Sequence, residues 1–253
     1  MLAADEPAPV RVARADAASP FLLTADHAGN RIPRVLGDLG VSAAERARHI
    51  GWDIGIAGTT ERLSHLLEAA AVFQAYSRLV IDCNRRPDVP SAFPEVSETT
   101  PIPGNAGLGQ AEKDARRRAI FDPYHDAIAQ LIARRRARGQ KTLYVAMHSF
   151  TPVFMGAARA VEVAVLFNRN PRLSHALAHL LRAEGGLVVG ENDPYRVTDE
   201  TDYGVPVHAE RGGLDYVEIE IRQDLIADAA GQADWAALLA RLLPPAAAAL
   251  EGA

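Results

Sequence analysis

Short apolar, β-rich runs recur along the chain at Phe21–Thr24, Ala71–Gln74, Arg78–Ile81, Thr142–Ala146, Val161–Phe167, Leu187–Val189 and Tyr216–Ile221. Longer stretches with helical spacing of apolar residues lie between several of them. In Trp52–Ala70, Ile56, Leu63, Leu66 and Leu67 form one stripe, while Glu61, Arg62 and Glu68 stay wettable. Asp114–Arg138 reads as a helical region interrupted near Asp122-Pro123, because proline disrupts interior helix bonding. Pro171–Glu184 reads as a helix ending at Gly185-Gly186, and Asp234–Leu243 as a last short amphipathic helix. The alternation predicts an α/β fold: one domain with a twisted, largely parallel or mixed central sheet flanked by helices. The domain is expected to fill 1–253, with 1–20 and 244–253 peripheral. Arg86–Gly109 has five prolines and three glycines and no period, which predicts a loop system over a site.

Composition narrows the classes. A length of 253 residues suffices for a sizeable core, and 48% hydrophobic with 23% charged residues is ordinary for a globular protein. A net charge of -5 argues against a nucleic-acid partner; the cluster Arg134, Arg135, Arg136 and Arg138 reads as the positive end of a helix. The single cysteine, Cys83, excludes a disulfide framework and a multi-cysteine zinc cluster. No secretory pattern opens the chain and no apolar run is long enough to span a bilayer, so a cytoplasmic location and no membrane partner are expected. Oligomeric state is not legible.

Polar chemistry gathers where apolar runs end. FLLTADHAGNRIP brings His27 just past a strand, and VAMHSF does the same for His148, the position at which α/β sheets bind ligands. Two neutral imidazoles suit Zn²⁺, and a carboxylate would complete three protein ligands with one position open. Asp53 is the candidate third ligand; its competing role is stabilisation of a helix N-terminus. In YVEIEIR, Val217, Ile219 and Ile221 share one face and Glu218, Glu220 and Arg222 the other. That charged face is either the wall of a wet cleft, where a carboxylate can act as general base, or an edge strand in solvent. In SRLVIDCNRRPD, Arg85 with Asn84 can grip a substrate carboxylate, or Arg85 can pair with Asp82 to hold the loop. His125 and Ser149 are further candidates for substrate contact, and His208 and Arg211 for catalytic contact. His49, His65, His175 and His179 read as surface or packing residues. No GxSxG elbow, phosphate-loop lysine motif or GxGxxG is present.

The segments ADHAGNRIP, GWDIG, SRLVIDCNRRP, FDPYH, AMHSF and EIEIRQDL, in this order from about 21 to 226, resemble the N-formylglutamate amidohydrolase (N-formylglutamate deformylase) family. That family is distantly similar to zinc carboxypeptidases and aspartoacylases, which implies a phosphorylase/hydrolase-like fold. By this resemblance His27 and His148 are the metal-binding histidines, Glu220 is the general base, and Asn84 and Arg85 hold the substrate carboxylate. The resemblance implies a zinc-dependent amidohydrolase acting on a small N-acyl amino acid, first of all N-formyl-L-glutamate to formate and L-glutamate. Relatives with an HxxE zinc motif would place glutamate where this chain has Asn30, so Asp53 enters as the candidate ligand. The loop around SAFPEVSETTPIPGN also differs from the histidine-degradation deformylases. The alternatives are a metal-dependent peptidase or amidase acting on small peptides or peptidoglycan-like substrates, favoured by an open groove, and a non-catalytic ligand-binding protein on the same fold.

Overall fold

A computed structural model describes residues 1–251. Seven strands form the central sheet: β1 (Val10–Ala13), β2 (Phe21–Ala25), β3 (Ala70–Gln74), β4 (Leu143–Phe150), β5 (Val163–Leu166), β6 (Val189–Glu191) and β7 (Asp215–Arg222). Their order is β1-β3-β2-β4-β7-β5-β6. β3, β2, β4 and β7 run parallel; β1 pairs antiparallel with β3, and β5 antiparallel with β7. β2, β3 and β4 are buried along their whole length. Their near-continuous apolar sequence is what a parallel strand covered on both faces requires. The fold is therefore α/β with a mixed sheet flanked by helices.

Four main helices cover the sheet: α1 (Ile56–Leu66), α2 (Asp122–Ala137), α3 (Arg172–Ala183) and α4 (Ala229–Ala248). One core layer joins Leu23, Val145, Val217 and Ile219 of the sheet to Ile56 and Leu63 of α1, Leu177 and Leu181 of α3 and Leu239 of α4. The other joins Leu22, Val72, Tyr144 and Tyr216 to Tyr124, Ile128 and Leu131 of α2. The alternation in β7 decides which side chains meet which layer. Val217, Ile219 and Ile221 face the first, and Glu218 and Glu220 lie on the second face.

Three expectations are corrected. Arg78–Ile81 is a turn rather than a strand: Val80 N–H donates to the Ser77 carbonyl and the Ser77 hydroxyl accepts from Leu79 N–H. Proline does not interrupt the helical region at Asp122-Pro123. Helix Gln110–Arg116 continues through a π-helical turn, Arg117–Phe121, into α2, with Pro123 in its first turn, where a missing N–H is tolerated. The last helix starts at Ala229, capped by Asp228, and runs on through Pro244 and Pro245. Ala246, Ala247 and Leu250 are buried against the core, so packing overrides the proline penalty across most of the 244–253 tail. Gly252 and Ala253, at its end, lie outside the described residues. Among the described residues no helix is long and apolar enough to cross a membrane.

Candidate metal centre and active site

The C-terminal ends of β2, β4 and β7 open into a cavity of about 540 Å³. His27 reaches it two residues past β2. The chain can turn there because Gly29 passes against Ala75; a Cβ at Gly29 would lie 2.1 Å from the Ala75 carbonyl oxygen. His148 is the sixth residue of β4, and Glu220 on β7 is its register partner. Asp53 arrives from the loop ahead of α1, its N–H donating to the His27 carbonyl.

His27, Asp53 and His148 are buried, and one donor atom of each lies within 4.8 Å of the other two. His27 Nδ1 is 3.5 Å from Asp53 Oδ1, and His148 Nδ1 is 3.1 Å from Asp53 Oδ2. His27 Nε2 is bonded to Asp82 Oδ1 at 2.7 Å, while His27 Nδ1 has no hydrogen-bond partner. A histidine held by a carboxylate through one nitrogen presents the other as a metal ligand. Two imidazoles and one carboxylate with an open side fit a divalent cation. Asn30 takes no part; its amide donates to the Arg46 carbonyl.

The electrostatics agree with a cation at this point. Against the cost of burial, Glu218 and Asp53 raise the His148 imidazole well above its ordinary value, and Asp82 and Asp53 raise that of His27. Also against burial, the Arg78 guanidinium and His27 hold the Asp82 carboxyl well below the usual range. Arg78 donates through Nε and Nη2 to Asp82 Oδ2 at 3.0 and 2.7 Å, and its Nη1 is 3.5 Å from Asp53 Oδ1. Burial pushes the Glu220 carboxyl up to about 7 and that of Glu218 well above its ordinary value. Both line the cavity, and Oε2 of each is unpartnered.

The chain matches the family described as N-formylglutamate amidohydrolase over residues 19–227. It belongs to the N-formylglutamate amidohydrolase family. It is similar to the gene product Atu2144 from Agrobacterium tumefaciens, with 42% identity, 99% of each chain covered and a TM-score of 0.95. It shares its fold with an N-formylglutamate amidohydrolase from Ralstonia eutropha JMP134, at 22% identity, a TM-score of 0.70 and 98% and 100% coverage of the two chains. No curated protein matches.

Within this N-formylglutamate amidohydrolase fold the other expected site residues divide. Asn84 and Arg85 line the cavity, and the Asn84 amide is bonded on both its nitrogen and its oxygen. Its nitrogen donates to Asp202 Oδ1, and its oxygen accepts from Tyr203 and Gly204 N–H, each at 3.0 Å. It thereby ties the 198–204 segment to the cavity wall. Arg85 donates to the carbonyls of Asn84 and Thr201 and pairs with Asp202 Oδ1 at 4.0 Å. An Arg–Asp pair holding the loop is therefore present, with Asp202 as partner, while Asp82 pairs with Arg78. Ser149 steadies a ligand: its N–H donates to Asp53 Oδ2 at 3.1 Å and its hydroxyl to the Ile54 carbonyl at 2.9 Å.

His125, His208 and Arg211, expected from the sequence to contact substrate or act in catalysis, are not among the residues lining the cavity. His125 Nε2–H donates to the Cys83 carbonyl at 2.9 Å, so its Nδ1 accepts from His208 Nε2–H, also at 2.9 Å. Burial lowers His125 well below its ordinary value and His208 to about 4, so the pair is neutral. Arg211 is exposed at the end of the π-helical turn Val205–Glu210.

Sequence reasoning missed Arg78, hidden in a run read as a strand. Its spacing of four from Asp82 was the available signal. It also read His49 as a packing residue, whereas His49 lines the cavity beside Glu98, 3.4 Å from its Oε2. The Arg86–Gly109 segment does form part of the wall, through Ser91, Pro94 and Val96–Glu98.

Proposed function

We propose that the chain hydrolyses the N-acyl amide bond of a small, carboxylate-bearing N-acyl amino acid, with zinc held by His27, Asp53 and His148. N-formyl-L-glutamate is the first substrate of that class to assay. The observation that carries the reading is Glu220: a buried carboxyl with an unpartnered oxygen, in register with His148 and lining the same cavity as the ligand triad.

A divalent cation bound by the triad supplies Lewis-acid polarisation of an acyl carbonyl and of water. Glu220 takes the proton of the attacking water, which a carboxyl poised near neutral pH does well. As the C–N bond of the tetrahedral adduct breaks, Glu220 returns that proton to the departing nitrogen. The products are a carboxylic acid and a free amine. Arg78 is the half-buried guanidinium on the cavity wall nearest this chemistry and offsets the charge of Asp82 and Asp53. Asp82 and Ser149 keep His27 and Asp53 in place during the cycle.

The test is metal analysis of freshly purified protein, joined to assay of N-formyl-L-glutamate before and after chelation and after zinc restoration. About one equivalent of metal with zinc-restorable turnover supports the reading. Protein that stays metal-free under replete conditions overturns it.

A further inference from the structure

One side of the cavity is aromatic and open. Phe150, Phe154 and Tyr195 line it together with Val96. Phe154 and Tyr195 are each 38% exposed and Val96 57%. Phe154 sits in the hairpin formed by Val153–Phe154 and Ala157–Ala158, whose other apolar residues, Val153 and Met155, are also exposed. Arg159 fastens this wall. Its guanidinium carbon lies 4.7 Å from the centre of the Phe154 ring and 4.8 Å from that of Tyr195, and Nη1 donates to the Tyr195 hydroxyl at 2.6 Å. The aromatic surface is thus fixed in place but uncovered, on the wall of the cavity that also holds the ligand triad and Glu220.

Next to Tyr195, Arg196 lines the same cavity, is exposed, and makes no ion pair among the described residues. Arg78 is already held by Asp82, and Arg85 is tied through Nη1 to the carbonyls of Asn84 and Thr201 beside Asp202. The Asn84 amide bonds the 198–204 segment, whereas Arg196 has no such partner among the described residues. Arg196 is therefore the cavity guanidinium left free to bind a carboxylate in two parallel hydrogen bonds.

A formyl group places only hydrogen on the acyl carbon and leaves the aromatic wall unmet. We propose that the preferred substrate is an amide with a carboxylate for Arg196 and an apolar group, larger than formyl provides, seated on Phe154, Tyr195 and Val96. This rests on the amide-hydrolase reading and narrows its substrate class. The apolar group can belong to the acyl side or to the amino-acid side chain, and the assay separates the two.

The zinc-loaded enzyme is assayed on N-formyl-, N-acetyl- and N-benzoylglutamate, and in parallel on N-formylleucine and N-formylphenylalanine. The expected result is kcat/KM at least about tenfold higher for the bulky members of one series than for N-formylglutamate, the scale of discrimination that apolar contacts supply. Phe154→Ala then reduces that ratio about tenfold. Arg196→Ala raises KM about tenfold for the carboxylate substrate and removes the preference over its carboxamide analogue. N-formylglutamate as the best substrate of both series, with Phe154→Ala lowering all substrates alike, overturns the inference and leaves the hydrolase reading standing. No turnover of any member by metal-loaded protein overturns both.

Discussion

His27 Nε2 and Asp82 Oδ1 lie 2.7 Å apart in the protein interior, and this contact fixes which nitrogen of His27 faces Asp53 and His148. Asp82 is held in turn by two hydrogen bonds from Arg78 and by the N–H of Asn84 at 2.9 Å. The candidate metal centre thus rests on a buried ion pair one step removed from its ligands.

Asp82→Asn is expected to weaken metal binding about 10–100-fold, the usual cost of losing the carboxylate behind a metal-bound histidine. It also removes the acceptor of two Arg78 hydrogen bonds, leaving Arg78 only its contact with Asp53, so stability falls by about 1–2 kcal/mol. Competition with a fluorescent chelator reads the first effect and urea unfolding the second. Unchanged metal affinity would remove Asp82 from this role.

Glu220→Gln is expected to bind metal as wild type does while losing at least about 100-fold in turnover, the scale of general-base catalysis. Metal content and single-turnover kinetics measured on one preparation check this. Retained turnover would reassign the base, with Glu218 the next buried carboxyl on the same face.

Asn84→Ala is expected to cost about 2 kcal/mol of stability without any substrate present, because Asp202 and the N–H groups of Tyr203 and Gly204 lose a shared buried partner. Denaturant unfolding of the substrate-free variant checks it. A variant of wild-type stability whose only defect is a raised KM would instead make Asn84 a substrate clamp.

The buried His125–His208 pair is expected to contribute a loss of stability on acidification between about pH 6.5 and 4. His208 is lowered to about 4 by burial, and its partner His125 is lowered further below its ordinary value. At these two imidazoles the unfolded chain binds protons that the folded chain refuses, so their contribution, present above pH 6.5, is lost as pH drops toward 4. The raised carboxyls of Glu220 and Glu218 act in the opposite direction. His208 alone contributes about 3 kcal/mol by this linkage. Denaturant titrations of wild type and His208→Gln in parallel check it: the stability of wild type relative to the variant is expected to drop by about 3 kcal/mol from about pH 6.5 to 4. The lowered carboxyls of Asp53 and Asp82 act below this window, as pH falls from the ordinary carboxylate value toward their own lower ones.

The positions of His27 and His148 were legible because each closes an apolar run, and a strand's end is where an α/β sheet exposes polar side chains. The two glutamates of YVEIEIR were legible as one face, because the pleat alternates strictly. The choice between a cleft wall and a solvent edge was not, since it depends on neighbours 70 residues away in β4 and about 50 away in β5. Arg78 escaped notice because an apolar, β-branched run such as RLVI suits a buried turn as well as a strand. His208 and Arg211 sit near the charged strand in sequence, yet the turn Val205–Glu210 directs one inward to His125 and the other to solvent.

By itself the sequence determined the α/β class and the residue types available for metal and proton chemistry. These follow from local periodicity and from what imidazoles and carboxylates can do. Of the stripe expected in α1, Ile56 and Leu63 are buried and Leu66 is exposed. Tertiary structure alone decided which of those groups meet. It joined Asp53 to two histidines 121 positions apart, spent Asn84 on a loop, set Arg78 behind His27, and left Arg196 free beside an aromatic wall. Strand order and loop closure bring together groups distant in the chain, and burial then sets their charge; neither is encoded in the spacing of residues within one element.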